Sequence, residues 1–168
     1  MVPSVILAID SLSRRAEVDT SKIILLDYSF GVPFVPCIVA RDHRPAVAAM
    51  VFGGGDLYCL IRDNLQRYQD PVTSGFVAFL SALLLMQIEP MLYASLISPM
   101  PLVMINGTED RQIPPRFAGM FLNRARQPEK ITWLKARHMN PRNVDLTDAI
   151  IDTLNSEFDK MDILSSED

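Results

Sequence analysis

Cysteine, histidine and clustered positive charge are all scarce in this sequence. Only two cysteines, Cys37 and Cys59, and two histidines, His43 and His138, occur in 168 residues. Neither cysteine stands in a C-x-x-C or zinc-ligand spacing, so no metal-ligand cluster and no metal or organic cofactor is expected. Two isolated thiols fit a reduced, cytoplasmic protein rather than a disulfide scaffold. Acidic residues outnumber basic ones, 20 to 16, for a formal net charge of -4 and an isoelectric point near 5.1. A nucleic-acid partner needs a basic face, so that class is excluded. The nearest approach to a basic cluster is Arg124, Arg126 and Lys130, which reads as a solvated helix end.

Long apolar runs are also missing. The longest, Phe76 to Ile88, is thirteen residues and is broken by Ser81 and Gln87. A membrane span needs about 20, so no span is expected and the run reads as a buried or interface helix. The first residues, MVPSVILAIDSLSRR, have no basic start and no small-residue cleavage site, and do not read as a signal peptide. Repeats and low-complexity segments are absent. With 49% hydrophobic and 21% charged residues, the composition is that of a single folded domain over residues 1–168.

What the sequence has is alternation. Val5, Ile6, Ile9 and Leu12 form one stripe, predicting a helix over 3–15. The runs 22–27 (KIILLD), 47–52 (VAAMVF), 101–106 (PLVMIN) and 130–135 (KITWLK) have strand length and the continuous apolar character of strands buried on both faces. Helices are expected over 30–41 (weakened by Pro33 and Pro36), 57–69, 74–88, from Pro114–Pro115 to Arg126, and 142–160. Such alternation predicts an α/β fold: a mainly parallel sheet of about four strands with helices on both faces. Its working site belongs at the C-terminal strand ends.

Three chemistry-bearing residues stand there. Ser29 follows the first strand in Asp27-Tyr28-Ser29-Phe30-Gly31, close to the G-x-S-x-G nucleophile turn, with Asp27 in the first glycine's place. Asp110 follows the third strand in Asn106-Gly107-Thr108-Glu109-Asp110, with Glu109 as an alternative acid. His138 follows the fourth. Each alone is unremarkable: a Ser-x-Gly turn, acids before a helix, a loop histidine. Together they keep the order serine, acid, histidine. A serine hydroxyl needs a base to take its proton, imidazole can do so near neutral pH, and a carboxylate holds the imidazole in the required tautomer. His43 fits no such role and reads as a loop residue. Gly53-Gly54-Gly55 lacks the Lys and Ser/Thr of a phosphate loop and reads as a flexible strand exit.

SKIILLDYSFGVPF resembles the nucleophile strand and turn of the α/β-hydrolases. PLVMINGTEDRQIPP resembles the acid loop of their dienelactone-hydrolase and prolyl-oligopeptidase-like branch, and ITWLKARH the last strand with its histidine. The resemblance implies Ser29 as nucleophile, His138 as base, Asp110 as orienting acid and the Phe30 backbone N–H as an oxyanion donor. It implies a serine hydrolase, a carboxylesterase acting on small acyl esters. It also implies that the family's N-terminal strands, with the loop carrying the second oxyanion N–H, have no counterpart here. Asp27 and the two prolines depart from the family's pattern as well. A weak or inactive relative that acts by binding, or a piece of a larger hydrolase, is the alternative. Residues 57–98 read as a helical cap-like or interface segment, and an uncovered strand at 22–27 predicts a homo-oligomer, most simply a dimer.

Overall fold

The computed structural model describes residues 1–125 and 131–164. Four strands, β1 (Ile24–Tyr28), β2 (Val47–Val51), β3 (Leu102–Gly107) and β4 (Ile131–Leu134), form one sheet in chain order, with every pairing parallel. The expected α/β architecture is the observed one. β2 is buried along its whole length and β3 likewise, as their uncharged sequences require of central strands. β1 pairs only with β2, and its other side has no strand neighbour among the described residues.

Side-chain alternation divides the core in two. Ala48, Met50, Leu102 and Met104 face Val35 and Val39 of helix α2 (Phe34–Val39) and Phe121 of a later helix, α6 (Pro115–Ala125). Val47, Ala49, Val103 and Ile105 face Ile150, Leu154 and Phe158 of the last helix, α7 (Val144–Lys160). Each fully buried aliphatic side chain stabilises the fold by about 1.5–3 kcal/mol before entropy is counted, so the two layers lock the strand register and the loops that leave its upper edge. The opening helix α1 (Val2–Leu12) buries only Ile9 of its predicted stripe, and Leu12 is exposed because α1 lies at the margin of the α2 layer.

The element ends shift for identifiable reasons. α2 begins late, after a 3-10 turn at Ser29–Gly31. Pro33 is its cap and Pro36 lies within its first turn, where a missing N–H breaks no bond. Between β2 and β3 the chain forms α3 (Leu57–Leu65), α4 (Pro71–Leu85) and a short α5 (Pro90–Tyr93). α4 starts earlier than its apolar pattern suggests because Asp70 caps it, accepting from the Val72 and Thr73 N–H groups, and Pro71 opens its first turn. The helix expected to end at Arg126 and the strand expected from Lys130 are described only to Ala125 and from Ile131; Arg126 and Lys130 lie outside the described residues.

The apolar run is longer in the structure than in the sequence reading. Counted through its helical turns it spans Pro71–Leu96, 26 residues, long and apolar enough by length and composition to cross a membrane; its most apolar 18-residue window has a mean hydropathy of 1.7 and is 11% buried. It is not one rod. At Glu89 the backbone turns extended, and its carboxylate accepts from the N–H groups of Asp56, Leu57 and Met91. That one side chain ties the starts of α3 and α5 together and fixes the α3–α4 hairpin over the upper edge of the sheet.

Candidate active site

Parallel register sets the site. Tyr28 pairs with Val51, Val51 with Ile105, and Gly107 with Leu134, so the strands end at nearly one level. Ser29 leaves β1 immediately, and the loops after β3 and β4 carry Asp110 and His138 to the same edge. Ser29 Oγ lies 2.6 Å from His138 Nε2, and His138 Nδ1 lies 2.7 Å from Asp110 Oδ2. With the Asp110 carboxylate accepting the Nδ1 proton, Nε2 is left as an acceptor for the serine hydroxyl proton. The three residues singled out in the sequence are therefore hydrogen-bonded in the order that proton removal from a serine requires.

Ser29 occupies the left-handed region at φ 51°. A non-glycine residue there costs about 1–3 kcal/mol and persists where the surroundings impose it. The strand-to-helix turn is sharp enough to lift the hydroxyl above the sheet. Asp27, the residue that breaks the expected glycine pattern, is accommodated by the glycine that remains. A Cβ on Gly31 would sit 1.9 Å from Asp27 Oδ1. The carboxylate fills the space that Gly31 leaves open and accepts from the Tyr28 N–H at 2.8 Å. The substitution therefore leaves the turn intact.

The choice between the two acids is decided by the turn after β3. Asp110 is 4% exposed. Its Oδ1 accepts from the N–H groups of Gln112 and Ile113 at 2.8 and 3.0 Å, which leaves Oδ2 aimed at the imidazole. Glu109 is exposed and does not join the relay. The His138 side chain is 11% exposed. Phe52 packs edge-on against its ring, with centroids 5.6 Å apart and planes at 83°. Sequence reasoning missed Phe52, which looks like the last apolar residue of a strand. Its backbone, at φ 54° in a fully buried residue, turns the chain out of β2 and places the ring beside the histidine. His43 lies in the exposed loop between α2 and β2. Among the described residues no group of three or more His, Cys, Asp or Glu side chains is arranged to hold a metal.

A cavity of about 430 Å³ opens beside Ser29 and His138. α3 lines it with Leu57, Ile61 and Leu65, and the end of α4 and the turn beyond it add Leu85 and Ile88. Asn64 is the polar member of the α3 wall, and its amide donates to the Gln112 carbonyl at 2.7 Å, stitching the hairpin to the acid loop. The Phe30 ring, 85% exposed, stands at the mouth.

No family model matches the chain, and no curated protein does. Solved structures do. Acetyl xylan esterase 1 from Thermoanaerobacterium sp. JW/SL YS485 superposes with a TM-score of 0.68 over 98% of this chain at 14% identity. The α/β hydrolase GrgF from Penicillium sp. sh18 gives 0.66 over 92% at 15% identity. An acylaminoacyl peptidase from Pyrococcus horikoshii gives 0.60 over 83% at 15% identity. This chain has the α/β-hydrolase fold. It spans 69% of the length of the Penicillium protein, 52% of the esterase and 23% of the peptidase.

Proposed function

We propose that this protein is a serine hydrolase, a carboxylesterase acting on small acyl esters. The observation that carries the reading is the continuous hydrogen-bonded path from Ser29 Oγ through His138 to the buried Asp110 carboxylate. In the proposed reaction Ser29 Oγ attacks the ester carbonyl carbon while His138 Nε2 takes the hydroxyl proton. The carbonyl oxygen becomes an oxyanion, towards which the Phe30 N–H is the first donor. As the tetrahedral species collapses, the ester C–O bond breaks and the proton on Nε2 passes to the departing alcohol. Water, deprotonated by the same imidazole, then attacks the acyl-serine and releases the acid. The neighbours' names, which include esterases and a peptidase, support hydrolysis as the class, and the apolar cavity supports an ester whose acyl part is hydrocarbon.

A fluorophosphonate probe is expected to label the wild-type protein and to label Ser29→Ala not at all; equal labelling of the two ends the proposal. The cavity gives a second expectation. Across p-nitrophenyl acetate, butyrate and hexanoate, Ile61→Trp should depress kcat/KM for hexanoate by about tenfold more than for acetate, because a bulky side chain removes the apolar contact that each extra methylene, at about 0.8 kcal/mol, makes with α3. An equal effect on all three esters would place the acyl group elsewhere.

Assembly and location belong to the same proposal. Among the described residues no strand pairs with the outer side of β1, and Leu26 and Tyr28 of that strand are 46% and 52% exposed. On α4, Val72, Phe76 and Leu84 are 81%, 64% and 85% exposed. Open edges and apolar patches of this kind are normally covered, and a second copy is the simplest cover. Light scattering at micromolar concentration should give twice the mass of the chain; a stable monomer removes the dimer. Cys37 and Cys59 are both free thiols, in keeping with a reducing, cytoplasmic setting.

A further inference from the structure

We infer that Asn64 and Arg67 of α3 are positioning residues for the proposed reaction: they hold the two peptide groups that aim the Asp110 carboxylate at His138. The inference rests on the serine-hydrolase reading of Ser29 and concerns the same site.

Two rows of side chains run along α3. Leu57, Ile61 and Leu65, spaced four apart, line the cavity. Asp63, Asn64 and Arg67 form the other row and reach the loop after β3 and the helix that follows it. Asp63 pairs with Arg116 at the start of α6. Asn64 Nδ2 donates to the Gln112 carbonyl at 2.7 Å, and Arg67 Nη2 donates to the Arg111 carbonyl.

Those two carbonyls are the far ends of the peptide groups that hold Asp110. The Arg111 carbonyl and the Gln112 N–H belong to one peptide group, and the Gln112 carbonyl and the Ile113 N–H to the next. Both N–H groups donate to Asp110 Oδ1, at 2.8 and 3.0 Å. In a trans peptide the carbonyl and the following N–H point in opposite directions. Each peptide is therefore gripped by α3 on one side and grips the carboxylate on the other. A donor at the carbonyl also polarises the peptide and strengthens the bond its N–H makes. With Oδ1 held twice, Oδ2 is left facing His138 Nδ1 at 2.7 Å.

Asn64 has one orientation in which to do this. Its Nδ2 also donates to the Leu60 carbonyl at 2.9 Å, one turn back, and its Oδ1 accepts from Arg67 Nη1 at 3.1 Å. The helix beneath it is anchored at its start, where Asp56 accepts from the Cys59 N–H and Glu89 from the Leu57 N–H. Arg111 and Gln112 are exposed, so burial does not hold their part of the turn. Asn64 is half-buried at the cavity wall and Arg67 is exposed. Water competes for the exposed donor, so Asn64 carries the larger share.

The test uses Asn64→Leu, which keeps the volume and removes the donor, and Arg67→Met, which keeps the stem and removes the guanidinium. The substrate is p-nitrophenyl acetate, whose single methyl draws little on the α3 wall. Asn64→Leu is expected to lower kcat by about tenfold and Arg67→Met by about threefold, with KM within about twofold of wild type, as small displacements of an acting group do. In an Asp110→Ala background nothing is left to aim, so either substitution should change the residual rate by less than about twofold. The same tenfold fall in that background would mark a merely structural role, and an unchanged kcat in the wild-type background would mean that the turn holds Asp110 unaided; either overturns the inference. Should Asn64→Leu fail to fold, Arg67→Met carries the same comparison from an exposed position. A readout independent of hydrolysis is the low-field proton resonance of His138 Nδ1–H, identified by its loss in Asp110→Ala. It should move upfield in Asn64→Leu, and an unmoved resonance also overturns the inference. Wild-type hydrolysis by Ser29→Ala would instead defeat the underlying reading, and the resonance, which does not depend on hydrolysis, tells the two failures apart.

Discussion

Ser29→Ala is expected to lower steady-state ester hydrolysis by about 10⁴-fold or more while leaving the fold in place, because in the proposed reaction the nucleophile, its base and its orienting acid act as one unit. The substitution removes one oxygen. His138 keeps its hydrogen bond to Asp110 and its contact with Phe52. What remains is the cavity and the Phe30 N–H, which in the proposed reaction hold the ester without attacking it, so KM should move far less than kcat. A companion variant separates nucleophile from scaffold. Ser29 sits at φ 51°, which glycine adopts without strain. Ser29→Gly should therefore be as inactive as Ser29→Ala and melt at least as high as wild type, since relief of about 1–3 kcal/mol of backbone strain offsets glycine's entropic cost. A melting temperature well below wild type would mean that the turn is not strained, and hydrolysis surviving in either variant would move the chemistry to another residue.

Asp110→Asn is expected to cost about 10⁴-fold in kcat with almost no loss of stability. The asymmetry comes from the two oxygens of this carboxylate. Oδ1 accepts from the Gln112 and Ile113 N–H groups, and an asparagine oxygen in the same place accepts both. Oδ2 faces His138 Nδ1, and there an amide NH₂ donates where the carboxylate accepted. The imidazole is then driven to the tautomer with its proton on Nε2, facing Ser29 with a donor instead of an acceptor. Asp110→Ala should lose activity similarly and also lose stability, because the Ile113 N–H is left buried without a partner at about 1–3 kcal/mol. Equal melting of Asp110→Asn and Asp110→Ala would deny the carboxylate its structural half. Glu109→Gln, one residue away and exposed, should behave as wild type.

Much of the site was legible in the sequence because its signals are local. Apolar runs of strand length record burial on both faces, and the residues just beyond them must stand at one edge if the strands are parallel. Ser29, Asp110 and His138 each satisfy that condition independently, and their order adds the chemistry. Pro33 and Pro36 likewise weaken the helix expected over 30–41, and in the structure it begins only at Phe34, because a helix accepts proline without loss only in its first turn.

Other features have no local signature. Glu109 and Asp110 are neighbours of the same charge in one polar turn; the resemblance of that loop favours Asp110, and the position of the turn against the β4 loop brings Asp110 and not Glu109 to the histidine. Asp27 looks damaging beside Ser29 until its side chain is seen in the space Gly31 leaves. Gly53 and Gly54 read as slack chain, yet Val32, Phe117 and the Asn106 amide surround them.

The sequence by itself determined the strand–helix alternation, the parallel sheet and the three residues at its upper edge, because hydrophobic period and turn chemistry are written between near neighbours along the chain. The tertiary structure alone decided how Asp27 fits beside Gly31, how Phe52 holds the ring, and what lines the cavity. Those contacts join residues as far apart in sequence as Ser29 and His138, 109 positions, and no periodic pattern records such a meeting. It comes into being only when two core layers pack and set four strands to a common level.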